Sequence, residues 1–166
     1  MTPSARMPPL SLRPLTTGET AMGREVFGES LEPRRVRILA QPVWPRAFAA
    51  GARLMVFPQA AAALDFAQAS LGLQGLFIHE LTHVWQAQQG VGLLWAKLRC
   101  GDGPQAYAYD LAACHSFDDL NIEQQAMVVQ HAFLAKRRAA APYPALAYGA
   151  FLAGFSPSNP HKPRKV

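Results

Sequence analysis

Charge is scarce in this sequence. Only 16% of its 166 residues are Asp, Glu, Lys or Arg, against about 25% in an ordinary soluble domain. Sixteen basic and eleven acidic residues leave a net charge of +5. Arg6 and Arg13 near the front and Lys162, Arg164 and Lys165 at the back supply much of that excess. Basic ends of this kind read as solvated tails, so nucleic acid is not an expected partner. Cysteine is nearly absent: Cys100 and Cys114 cannot build a disulfide framework. They are expected as two reduced thiols, with a single bridge open only to a protein in an oxidising compartment. Long apolar runs are missing too. The longest candidate, residues 143–155, falls short of the roughly 20 residues needed to cross a bilayer and begins among prolines, so no membrane span is expected. The opening MTPSARMPPLSLRPL has basic residues but no apolar core, unlike a secretory signal. The expectation is a cytoplasmic chain, or one exported by a specialised secretion system.

What remains suffices for one hydrophobic core. Apolar residues make up 50% of the chain, which excludes a disordered polymer, and the length suits a single domain. Residues 1–14 are Pro-rich and expected to be a flexible lead-in, residues 15–155 a single domain, and residues 156–166 a flexible basic tail. Thr16 and Glu19 form a capping box, predicting a helix that stops near Gly28. Arg35–Leu39 and Arg53–Phe57 read as short strands, each closed by proline. From about Phe66 to Gln89, Leu73, Leu76, Phe77, Leu81 and Val84 recur at spacings of three and four, predicting a helix capped by Gly90. A strand is expected at 107–111, a helix at about 121–139 with Ile122, Ala126, Val129, Phe133 and Leu134 inward, and a short apolar helix at 145–152. The sum is an α+β chain, a small sheet or hairpin packed on helices.

Chemistry concentrates at His79-Glu80-Leu81-Thr82-His83. On a helix, residues four apart share a face about 6 Å apart along the axis, so both imidazoles reach one ion. Zn²⁺ suits two neutral imidazoles and, in catalytic sites, keeps one of four positions open. Glu80, beside the first histidine, is placed to take a proton from water at that position, as in H-E-x-x-H metallopeptidases. The third ligand must come from elsewhere, because His83 is not followed by Gly-x-x-His. His115, Asp118, Asp119, Glu123 and His131 are the candidates. Glu123 is favoured as the one Glu after Glu80, at the start of the next predicted long helix. A Tyr near zinc can donate to the oxygen of a tetrahedral intermediate, which makes Tyr107 and Tyr109 candidates. Met55-Val56-Phe57 is a candidate edge strand for pairing with an extended peptide. Trp85 and Trp95 read as core and interface residues.

The segment Leu76–Gln86, with its HELTHVWQ core, resembles a gluzincin-like HExxH metallopeptidase domain of bacterial contractile injection systems and polymorphic toxins. It is closer still to the short Vgr-related proteins, which pair this core with a downstream E-Q-Q-A, here Glu123–Ala126. Val36-Arg37-Ile38-Leu39 fits the family's V-R-V-H segment, with Leu39 where the family has histidine. The likeness runs over about residues 10–140. It implies a minimal zincin-like fold, an active-site helix packed against a second ligand-bearing helix. It also implies Zn²⁺ held by His79, His83 and Glu123, peptide or protein substrates, and partners in a secretion, injection or toxin system. Gln124-Gln125 stand where the family carries Ala-Asp, so the acidic residue that would orient a histidine is missing and weak activity is expected. Two other readings compete. One is a non-catalytic, zinc-stabilised accessory protein, which a fourth ligand such as His115 or Asp119 would favour. The other is a self-inhibited protease whose termini block the cleft, with His161 capping the zinc.

Overall fold

The computed structural model describes residues 5–153. The expected tail at 156–166 and His161 lie outside them. Part of the expected flexible lead-in is instead tied into the fold. Met7 is buried, its amide donates to Ala62 O at 2.8 Å, and strand β1 (Leu12–Pro14) joins the sheet. Proline enrichment suggested mobility there, but prolines are tolerated at an edge strand, where no partner needs their missing N–H.

Helix α1 (Thr17–Phe27) starts at the expected capping box: Thr16 Oγ1 accepts from Glu19 N, and Glu19 accepts from Thr16 N. Strands β2 (Arg37–Gln41), β3 (Phe48–Ala49) and β4 (Leu54–Pro58) complete a four-stranded sheet of order β1-β2-β4-β3. The two strands read from sequence do not form a hairpin with each other. β2 and β4 run parallel, with Ile38 opposite Met55 and Ala40 opposite Phe57, while β3 turns back antiparallel onto β4. This placement also corrects the edge: β4, which holds Met55-Val56-Phe57, is interior, and β3 is the edge strand. Ile38, Ala40, Met55 and Phe57 are fully buried on one face of the sheet.

Helix α2 (Leu71–Gln88) packs within the core, and every residue from Phe77 to Gln86 is buried. A helix enclosed on all sides has no solvent-facing stripe, so its polar residues His79, Glu80, Thr82, His83 and Gln86 are buried together with its apolar ones. Phe57, Phe66 and Phe77 link sheet to helix, with ring centroids 4.6 and 5.2 Å apart. Trp85 stacks on Phe27 of α1 at 5.6 Å, as a core residue. Gly90 has φ +91°, a conformation only glycine adopts without strain, and the chain leaves α2 there.

Helices α3 (Leu93–Cys100) and α4 (Pro104–Tyr107) follow, and the strand expected at 107–111 does not form. Pro104 starts a helical turn, and the Asp110 side chain accepts from Ala112 N at 2.9 Å, which bends the backbone away from extension. Helix α5 (Ile122–Lys136) packs along α2, with Gly75 allowing close approach: a Cβ there would sit 3.1 Å from Leu134 Cδ1. Helix α6 (Ala145–Leu152) closes the described chain. Among the described residues no helix is long and apolar enough to cross a membrane. Cys100 and Cys114 are both free.

A buried carboxylate joins the N-terminal third of the fold. Glu19 is 0% exposed and accepts from the two terminal guanidinium nitrogens of Arg13 at 2.7 Å, together with Phe66 N at 2.9 Å. Arg13 also donates to Ala63 O at 2.8 Å. One side chain therefore ties β1 and α1 to the turn before α2. Glu19→Ala strands the Arg13 charge and two backbone amides, and should destabilise the fold by about 3 kcal/mol. Urea unfolding checks this; a loss below about 0.5 kcal/mol would show that the hub is dispensable.

Candidate metal centre

α2 and α5 meet at three polar side chains. His79 and His83 project from one face of α2, as their spacing requires, and are each 7% exposed; Glu123, in the first turn of α5, is 3% exposed. Asn121 caps α5 by accepting from Glu123 N and Gln124 N at 2.9 Å, which sets where that first turn begins. Glu123 Oε2 lies 3.4 Å from His79 Nε2 and 3.3 Å from His83 Nε2. The three side chains can offer ligand atoms that all lie within 4.8 Å of one another. Ligands about 2.0–2.1 Å from one tetrahedral ion stand about 3.3–3.4 Å apart, so the two observed separations suit a single shared metal ion.

The carboxylate's other oxygen, Oε1, binds Lys97 Nζ of α3 directly. Lys97 also donates to Tyr107 OH at 2.9 Å and pairs with Asp102 at 2.9 Å. Burial alone would raise the Glu123 carboxyl, but hydrogen bonds with His79, His83 and Lys97 outweigh it and hold the group far below the carboxylate range. Burial would lower Lys97, yet its bonds to Glu123, Tyr107 and Asp102 push it well above an ordinary lysine. His83 is raised: burial opposes its charge, and Glu123 overcomes that opposition.

Glu80 sits beside the ligand set without joining it. It is 4% exposed, and its Oε2 has no hydrogen-bond partner. Desolvation pushes its carboxyl up against the pull of both histidines. A cavity of about 390 Å³ opens onto His79, Glu80, His83, Lys97, Tyr107 and Glu123, walled by the β3 edge at Phe48 and Ala49.

The tyrosines separate. Tyr107 reaches the site: its ring stacks on His79 with centroids 6.4 Å apart. Tyr109 turns away to His131 Nδ1, at 2.7 Å, and to Tyr148 OH, and does not line the cavity. The placement follows from α4, which replaces the expected strand and ends between the two tyrosines. His131 belongs to that second cluster. His115, Asp118 and Asp119 lie exposed in the turn before α5, where Asp119 Oδ2 accepts from His115 N and Ser116 N. Among the described residues neither His115 nor Asp119 joins the ligand group as a fourth member.

No protein-family model matches the chain. The type VI secretion system spike protein VgrG2b of Pseudomonas aeruginosa is 35% identical over 136 residues, covering 75% of this chain but 13% of the spike protein. The solved effector domain of the same VgrG2b superposes with a TM-score of 0.66 and 30% identity, over 86% of this chain and 82% of that domain. The chain belongs to the family of the VgrG2b effector domain. The chain spans about 13% of the length of that spike protein. Membership in the VgrG2b effector-domain family fixes ancestry and fold, while chemistry belongs to the site.

Lys97 is the functional neighbour that sequence reasoning missed. Its signal was present: it is the only lysine before Lys136, inside the apolar run Leu93–Leu98. Lys97→Met leaves Glu123 Oε1 without its cation and should destabilise the metal-free protein by about 1–2 kcal/mol, discounted because a third of the side chain faces solvent. Asp102, 66% exposed on the same ammonium, should cost under about 0.5 kcal/mol as Asn. Denaturant melts in chelator compare the two; equal small losses would make Lys97 an ordinary surface charge.

Proposed function

We propose that the chain is a zinc metallopeptidase domain of minimal gluzincin type, with a zincin-like fold, working with a bacterial secretion or injection apparatus. The observation that carries this reading is the convergence of His79, His83 and Glu123 next to the unpartnered Glu80 oxygen, at the floor of an open cavity. Zinc held by those three residues supplies Lewis-acid polarisation of a carbonyl and acidifies a water.

The remaining work falls to the chain's own groups. Glu80 takes a proton from the attacking water at its carboxylate and returns it to the leaving amine. Its desolvation strengthens it as a proton acceptor. Tyr107 OH accepts from Lys97, so its own proton stays free to be donated to the carbonyl oxygen of a substrate. The β3 edge offers unpaired backbone groups along the cavity wall, to which an extended peptide can add as a strand. The secretion-system role rests on kinship with the VgrG2b effector domain, and export by that system is part of the proposal.

A second reading has its own support. α3 has no buried residue and shows Leu94, Trp95 and Leu98 at 65–70% exposure beside the cavity. Apolar groups displayed in this way suit a binding surface, as in a zinc-stabilised accessory protein. Two measurements decide. Elemental analysis should find about one zinc per chain, lost in His83→Ala; equal zinc in both proteins sinks the metal assignment. Glu80→Gln should keep zinc and melting temperature while slowing cleavage of a peptide library by about 10² to 10⁴. No cleavage by zinc-loaded wild type, against the library and against proteins of a secretion apparatus, leaves the accessory reading standing. Because zinc would join α2 to α5, chelator should also lower the melting temperature.

A further inference from the structure

Gln125 stands where the resembled family carries an acidic residue, and it does not touch a histidine. Its Nε2 donates to Phe117 O at 3.1 Å and Leu120 O at 3.3 Å. Carbonyl oxygens only accept, so this fixes the amide with Oε1 on its other side, where it accepts from Gln86 Nε2 at 2.8 Å. Gln86 Nε2 also donates to Ile122 O at 3.1 Å, which orients the second amide independently. Gln86 Oε1 is then left facing His83 Nδ1 at 2.8 Å. An acceptor at that position requires the proton on Nδ1. In the neutral ring the lone pair then falls on Nε2, the atom 3.3 Å from Glu123 Oε2.

We propose that Gln86 and Gln125 form a two-amide relay that holds His83 in its Nδ1–H tautomer and so presents Nε2 as a ready metal ligand. The proposal rests on the metal-site reading above. The three anchoring carbonyls belong to the turn before α5 and to its first residue, so the relay fastens His83 to the same backbone that carries Glu123. His79 has no equivalent: its Nδ1 is buried without a partner. Ligand orientation is therefore unequal, and His83 is the pre-set member of the pair. Both glutamines are positioning residues: Gln86 touches His83 at Nδ1, on the far side of the ring from Nε2, and Gln125 acts through Gln86. The missing acidic residue is replaced by a longer connection through two amides.

Zinc affinity, measured by competition with a chromophoric chelator on the full chain, tests the idea. Gln86→Leu should weaken zinc binding about 10- to 100-fold, the usual cost of losing a histidine's outer partner. Gln125→Leu should weaken it less, and the double variant should match Gln86→Leu alone, because the two act in series. Melting in excess chelator serves as the folding control. The second readout is ring ¹⁵N NMR of metal-free Glu123→Ala protein at alkaline pH, where no carboxylate faces Nε2. The relay intact should give the Nδ1–H form of His83, and Gln86→Leu should shift it toward Nε2–H. Unchanged zinc affinity and an unchanged tautomer in Gln86→Leu would overturn the relay. Loss of affinity that is additive between the two glutamines, with no change in tautomer, would also overturn it and make them packing residues. Wild type that binds no zinc, with the tautomer as stated, would overturn the metal-site reading while leaving the hydrogen-bonded relay intact.

Discussion

The fold is organised around a carboxylate that has to be kept charged away from water. Glu123 enters the seam between α2 and α5, where an ionised group without partners would cost several kcal/mol. Its compensation comes from four directions: two imidazoles on α2, an ammonium on α3, and the positive end of its own helix. Each partner fixes a distance between elements. α5 must pack close to α2, which Gly75 permits. α3, with no buried residue of its own, is held over the cavity through Lys97. The turn before α5 must supply carbonyls at set positions, and Phe117 in that turn is buried in the core.

A second buried carboxylate does for the N-terminal segment what Glu123 does for the helices. Glu19 gathers Arg13, Thr16 N and Phe66 N, and so joins β1 to α1 and to the entry of α2. This gives the low charge content of the chain a structural meaning. Few ionised groups are present, and two of the acidic ones sit inside, each saturated by partners far apart in sequence. Glu80 is the exception: it is buried beside His79 and His83 with an oxygen left unpartnered. That open oxygen, next to the histidines, is the feature on which the proposed general-base role rests.

Kinship and geometry bear on different questions. The likeness to the VgrG2b effector domain covers most of both domains and accounts for the shared architecture. It is silent on how histidine support is arranged around Gln125. In this chain the support runs through a side chain from each helix, and so depends on the α2–α5 crossing as much as on the residues themselves.

Much of this was legible in the sequence because it is local. The capping box at Thr16, the stop at Gly90, the helix over 145–152 and the shared face of His79 and His83 all follow from backbone preferences within a few residues. The selection of Glu123 needed only that it be the one Glu downstream of Glu80, and the observed cluster contains it. Other features depended on contacts between distant segments. That residues 5–14 are ordered, that β2 and β4 run parallel with β3 at the edge, and that Tyr107 reaches His79 while Tyr109 turns to His131 were settled by packing. Lys97 and the two glutamines belong to the same class. Periodicity tells which face a side chain occupies, but a hydrogen bond between Gln86 and Gln125 exists only once two helices have met at one particular crossing. The sequence alone therefore determined the helix that bears the histidines. The tertiary structure decided what surrounds them, because burial turns an ordinary amide or ammonium into a partner that a desolvated site must have.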